Sequence, residues 1–187
     1  IRLDGRRVKS EQKAYYVLNK PPGYLSTAWD PQGRRKAGDL LVGVRQRVYP
    51  VGRLDADSRG LLIFTNDGDL AARLTHPRYG VTKTYEVEID GRIAPEHLQK
   101  LTSGVRLRES RTAPCRIRVL RRGATNSILE FTLHEGMNRQ VRRMLAKFGY
   151  KVRRLTRTAI GPLRLRGLGL GKFRALTPQE LRALEKY

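Results

Sequence analysis

The stretch VGRLDADSRGLLIFT, residues 51–65, decides how the rest of the chain reads. Its last five residues, Leu61–Thr65, form an apolar run between Gly60 and the turn signal Asn66-Asp67-Gly68, which suits a buried strand. Ahead of it lies a glycine-bounded loop that carries Asp55 and Asp57. Loops held against a rigid strand are where catalytic groups tend to sit. Asp55 has Arg53 and Arg59 as neighbours, and a carboxylate beside cations can act as nucleophile or base. Taken alone, the segment fits a turn aspartate in a structural ion pair better than a catalytic one. Asp55/Asp57 and Asp67/Asp69 each have the Asp-x-Asp form that magnesium accepts, although such pairs are common by chance in loops.

Working outward, Asp69–His76 reads as a helix because Leu70 and Leu74 fall four apart on one face. Upstream, Ala14–Asn19 is β-branched and aromatic and reads as a strand, stopped by Lys20-Pro-Pro-Gly23. Downstream, Thr82–Ile89, Cys115–Leu120 and Ser127–His134 alternate as half-buried strands do. Pro95–Leu101 is a short helix with proline in its first turn. The stripe Val141, Met144, Leu145, Phe148 predicts a helix over Asn138–Phe148, with Gly149 as its C-terminal cap. Thr177-Pro-Gln-Glu180 is a capping box that opens a final helix. Short strands with a few helices between them predict an α+β fold, a mixed and mainly antiparallel sheet with flanking helices. Residues 14–187 read as one compact unit, and residues 1–13 as a short basic tail.

The 187 residues carry 39 Lys+Arg against 17 Asp+Glu, a net charge of +22. A hydrophobic fraction of 39% still allows a real core. No apolar run approaches the roughly 20 residues that span a bilayer, and a single cysteine, Cys115, allows no internal disulfide. The expectation is a soluble intracellular domain with an anionic partner, nucleic acid before a membrane surface. Residues 51–100 are nearly neutral, with seven basic and eight acidic side chains, whereas 136–179 hold twelve Lys/Arg and no acid. That asymmetry points to a polyanion track rather than plain solvation.

Within the track lies His134-Glu-Gly-Met-Asn-Arg-Gln-Val-Arg-Arg-Met144. Arginines at a helix start oppose the dipole and call for an anion, either phosphate or a carboxylate from elsewhere in the fold. Arg139 and Arg142 are three apart and can face the same partner. His134 reads as a structural or RNA-contacting residue. Trp29 suits a base stack or a core position equally.

Four segments in order carry a resemblance: Lys20-Pro-Pro-Gly23, Gly52-Arg-Leu-Asp55, Lys83-Thr-Tyr-Glu86 and Gly136-Met-Asn-Arg-Gln-Val-Arg-Arg143. Together they are similar to those of the pseudouridine synthases of ribosomal RNA, of the RsuA/RluB type, from Tyr15 to Leu184. The resemblance implies Asp55 as the catalytic aspartate, Tyr85 as the tyrosine that stacks on the target uracil and moves a proton at C5, and Arg142 as the partner that ion-pairs with Asp55. Arg53 would enter the space left by the flipped nucleotide, and Lys20 would mainly support the site. Leu62 or Ile63 would supply apolar walls. Lys20, Lys83, Arg139, Arg143, Arg153 and Arg154 join Arg53 as the expected RNA-binding set.

The resemblance also implies a cytoplasmic, monomeric enzyme acting on an rRNA stem-loop, of the large subunit before the small, with no metal or cofactor. Residues 1–13, beginning at Ile1 rather than Met, would be the tail of an absent RNA-binding domain. Two rivals remain: an inactive ribosome-associated RNA-binding protein, and a metal-dependent nuclease built on the aspartate pairs.

Overall fold

The structure, a computed structural model, describes residues 11–187 and, for the backbone alone, 2–3 and 6–7. Of the stretch 1–13 expected to be an inter-domain tail, residues 1, 4, 5 and 8–10 therefore lie outside the described residues. What is described there is a small antiparallel ribbon, β1 (Arg2–Leu3) with β2 (Arg6–Arg7).

The remaining strands are β3 (Tyr15–Lys20), β4 (Tyr49–Val51), β5 (Arg59–Thr65), β6 (Lys83–Asp90), β7 (Arg116–Arg122), β8 (Asn126–Leu133), β9 (Val152–Ile160), β10 (Leu163–Arg164) and β11 (Phe173–Ala175). Four helices accompany them: α1 (Gly68–Thr75), α2 (Pro95–Thr102), α3 (Gln140–Ala146) and α4 (Pro178–Leu184). The nine strands make one sheet in the order β11-β3-β5-β9-β6-β8-β7, with β4 added beside β5 and β10 beside β9. Every pairing is antiparallel except β5 with β9. The α+β class expected from the sequence is the observed one.

The parallel seam joins two antiparallel halves through only two register pairs, Arg59 with Thr156 and Gly60 with Arg157. Gly60 has φ +110°, and a Cβ there would fall on the Arg157 backbone, so the strands approach this closely only because the residue is glycine. Strand β5 is buried on both faces, Leu61 and Ile63 against α1 and α4, Leu62 and Phe64 against Leu18, Ala37 and Leu54. That double burial explains its unbroken apolar run. The other half packs Val87, Ile89, Leu129 and Phe131 against Met144 and Leu145 of α3.

Two expectations are corrected. The helix expected over Asn138–Phe148 begins only at Gln140, because Arg139 lies at φ 48°, ψ 33°, outside helical space. Strand β9, central to the sheet, has no counterpart among the expected elements. Its inward positions run Leu155, Arg157, Ala159, and an arginine in that row breaks the apolar alternation by which a strand is recognised.

Candidate active site

The loop between β4 and β5 delivers Asp55 to the parallel seam, and the chain fixes it from below. The backbone turns there, with the Ser58 amide donating to the Asp55 carbonyl at 3.0 Å. Lys20, at the end of β3, is fully buried and points its ammonium into this turn. It donates to the carbonyls of Ser58 (2.8 Å), Pro21 (3.0 Å), Asp55 (3.1 Å) and Ala56 (3.4 Å). Burial pushes its pKa down to about 8, opposed by the nearby Asp57 and Asp55 and reinforced by Arg157. Lys20 thus braces the loop through its backbone carbonyls. A phosphate contact is ruled out for it by its burial.

Arg157 of β9 performs the same task on the other side, with Nε donating to the Leu61 carbonyl at 2.8 Å and Nη1 to that of Arg53 at 3.3 Å. It is buried, and its Nη2 has no hydrogen-bond partner among the described residues. Nothing in the linear motifs marks this residue; the signal was an arginine inside an otherwise apolar row. From above, Arg139 lies 3.5 Å from the Asp55 carboxylate and grips Asp57 with two bonds of 3.2 and 3.1 Å. Burial opposes ionisation of Asp57, but these bonds and the charges of Arg142 and Arg139 outweigh it and hold its carboxyl below the usual carboxylate range.

The left-handed backbone at Arg139 aims it there. The turn before α3 is fastened by the buried Gln140, whose side chain accepts from the Met137 amide at 3.0 Å and donates to Glu135 at 2.5 Å. Arg139 is the only non-glycine with positive φ among the described residues, a local cost of about 1 kcal/mol or more that such ties must offset.

The ion pair expected between Arg142 and Asp55 does not form. Arg142 instead lies 3.3 Å from the Asp57 carboxylate, with longer bonds to the Asp57 carbonyl (3.4 Å) and the Ser58 hydroxyl (3.5 Å). One helical turn separates it from Arg139, so Arg139 covers Asp55 while Arg142 reaches the far end of the turn.

These groups frame a cavity of about 380 Å³, within the usual range for small-ligand sites. Asp55, Arg53, Lys83, Tyr85, Arg139 and Arg157 line it together. Tyr85 sits at a β-bulge, opposite Arg157 on β9 and Phe131 on β8, and a bulge redirects side chains at such places. Lys83 is half-buried, and burial followed by the charge of Arg157 lowers its pKa. The apolar walls come from Leu54, Leu133, Val141 and Leu155, not from Leu62 or Ile63, which point into the packed layers behind.

Three more of the expected RNA-binding residues are engaged elsewhere. Arg143 pairs with Glu109 (2.7 Å), Arg154 with Glu88 (3.0 Å), and Arg153 with Asp90, and none of the three lines the cavity. The nuclease arrangement lacks a pair of open carboxylates: Asp57 is held by arginines, and Asp67 caps α1 at Leu70 while accepting from Lys13 and Tyr15 at 2.8 Å each.

The cavity thus brings a carboxylate, Asp55, and a tyrosine, Tyr85, together within a basic rim of Arg53, Lys83 and Arg139. The chain belongs to the RNA pseudouridylate synthase family, whose model matches residues 14–147. It is 44% identical over 186 residues to ribosomal large subunit pseudouridine synthase B of Bacillus subtilis, covering 98% of this chain and 76% of that one. It is 42% identical over 167 residues to ribosomal large subunit pseudouridine synthase E of Xanthomonas axonopodis, covering 81% and 88%. A crystal structure of a pseudouridylate synthase superposes with a TM-score of 0.84 at 30% identity, over 94% of this chain and 75% of the other.

Proposed function

We propose that this chain converts a specific uridine of large-subunit ribosomal RNA to pseudouridine, with Asp55 as the catalytic carboxylate. The observation that carries the reading is that Asp55, on a loop held by Lys20, Arg157 and Arg139, and Tyr85, on β6, line one cavity.

A uridine inside a helix is shielded, so it must leave the stack, at a cost of a few kcal/mol that is least in a loop. Arg53, exposed at the cavity mouth, fills the gap with a planar cation suited to stacking and phosphate. Asp55 then starts the rearrangement, by attack at C1′ of the ribose or by removal of a sugar proton. The bond from N1 to C1′ breaks, the uracil turns on the apolar walls, and C5 bonds to C1′. The C5 proton leaves through Tyr85, N1 regains a proton, and no atom is gained or lost. The reaction is redox-neutral, so the reading calls for no metal or cofactor. Arg142 acts through Asp57 by fixing the turn. Arg139 and Lys83 meet the RNA backbone around the flipped nucleotide.

The large-subunit target is supported by the names of the two relatives. We read the enzyme as a cytoplasmic monomer, and residues 1–13 as joining it to a further RNA-binding domain. No described helix is long and apolar enough to cross a membrane. Incubating the protein with unmodified transcripts of 23S and 16S rRNA and mapping pseudouridine tests the assignment. A single new pseudouridine in 23S is expected; modification of 16S alone would give the target to the small subunit, and none in either would refute the activity.

A further inference from the structure

Trp29 is the only tryptophan of the chain and is 73% exposed. Exposure settles its sequence-level ambiguity, because a core position is no longer open to it. We propose that Trp29 is a stacking platform for an unpaired base of the RNA substrate, beside the uridine that enters the cavity. The proposal rests on the reading of the chain as an RNA-modifying enzyme.

Three observations support it. First, the loop that carries the indole is internally braced. Thr27 Oγ1 donates to the Trp29 carbonyl at 2.7 Å, while the Asp30 carboxylate accepts from the Arg34 amide at 2.9 Å and from the Arg34 guanidinium at 2.6 Å. A ring presented on a held backbone loses little freedom when a base stacks on it. Second, the loop is latched to the catalytic turn. The buried Ser26 hydroxyl donates to the Leu54 carbonyl at 3.0 Å and accepts from the Leu54 amide at 3.1 Å, next to Asp55. The Gly23 amide adds a bond of 2.7 Å to the Ala56 carbonyl. The indole and the catalytic carboxylate thus stand on one connected frame.

Third, the surrounding charge favours a polyanion. Both acids of the segment 24–47 are neutralised within it, Asp30 by Arg34 and Asp39 by Lys36. Arg35, Arg45 and Arg47 are exposed and in no ion pair among the described residues. An exposed aromatic ring on a segment that also carries unpaired cations suits single-stranded nucleic acid, which is held by base stacking together with phosphate neutralisation. A protein partner would meet the same ring with acidic side chains, and that is an outcome the test separates.

Being the sole tryptophan, Trp29 reports on itself. The protein is titrated with an unmodified 23S rRNA transcript and with a blunt RNA duplex that offers no unpaired base, following indole emission and filter binding together. The transcript is expected to quench the emission on binding, and the duplex to bind without quenching. Trp29→Ala is expected to weaken transcript binding by roughly five- to a hundredfold, the loss of one base stack, with Trp29→Phe recovering most of it. A transcript that binds and is modified while the emission stays constant overturns this proposal alone, as does unchanged binding by Trp29→Ala. A transcript that neither binds nor is modified overturns the enzymatic reading as well.

Discussion

Asp57 holds Arg142, the arginine expected to pair with Asp55, and Arg139, expected to meet RNA. It takes a bidentate grip from Arg139 and a single contact from Arg142, leaving Asp55 one cation at 3.5 Å. Beneath the same turn, Lys20 offers three N–H donors to four carbonyls. Deprotonation would replace one donor by a lone pair facing those oxygens. With its pKa near 8, kcat is expected to fall as pH rises through about 8. The thermal midpoint should not follow, since a lysine whose pKa is lower folded than unfolded makes folding more favourable between about 8 and 10.5. A pH–rate profile at saturating RNA, run beside thermal melts, checks both; kcat flat to pH 9.5 would remove Lys20 from the positioning of the loop.

At the scale of elements, the seam of β5 and β9 sets where the cavity can be. Gly60 permits it, and Gly60→Ala would put a methyl group 2.7 Å from the Arg157 amide nitrogen at a φ that only glycine favours. A loss of more than about 2 kcal/mol is expected, a drop in melting temperature of at least roughly 5 °C. Calorimetry on the variant measures it, and a midpoint within 1 °C of wild type would mean that the seam relaxes freely. The sequence made β5 legible through its continuous apolar run, α1 through the spacing of Leu70 and Leu74, and α4 through the capping box at Thr177. It hid β9, because Arg157 occupies an inward position and donates to carbonyls contributed by residues about a hundred positions away. The turn at Arg139 was hidden for a similar reason: Gln140 and Glu135 hold it by side-chain bonds that no periodicity records.

Across the whole molecule, the +22 charge is distributed differently from its pattern along the chain. In the acid-free stretch 136–179, Arg139, Arg142, Arg143, Arg153, Arg154 and Arg174 all find carboxylates brought by other segments or, for Arg174, by Glu180 just beyond it. Most of these pairs are at the surface and contribute little to stability, ~0–1 kcal/mol each. They take up half of the twelve cations of that stretch, while Lys147, Lys151, Arg164, Arg166 and Lys172 stay exposed and in no ion pair among the described residues, as do Arg53 at the cavity and Arg35, Arg45 and Arg47 of the segment that carries Trp29. Asp55 and Tyr85 were legible as candidates through the four ordered motifs and the resemblance these carry; their charge partners were not, because the fold reassigns charges between segments. The claim that joins these scales is that one carboxylate, Asp55, initiates isomerisation in this cavity. Single-turnover tritium release from 23S rRNA labelled at uridine C5 tests it directly, comparing wild type with Asp55→Asn at saturating enzyme. We expect stoichiometric release by wild type and a fall of at least about 10³-fold in the variant, with RNA still bound; release by Asp55→Asn at the wild-type rate would contradict the role proposed for Asp55.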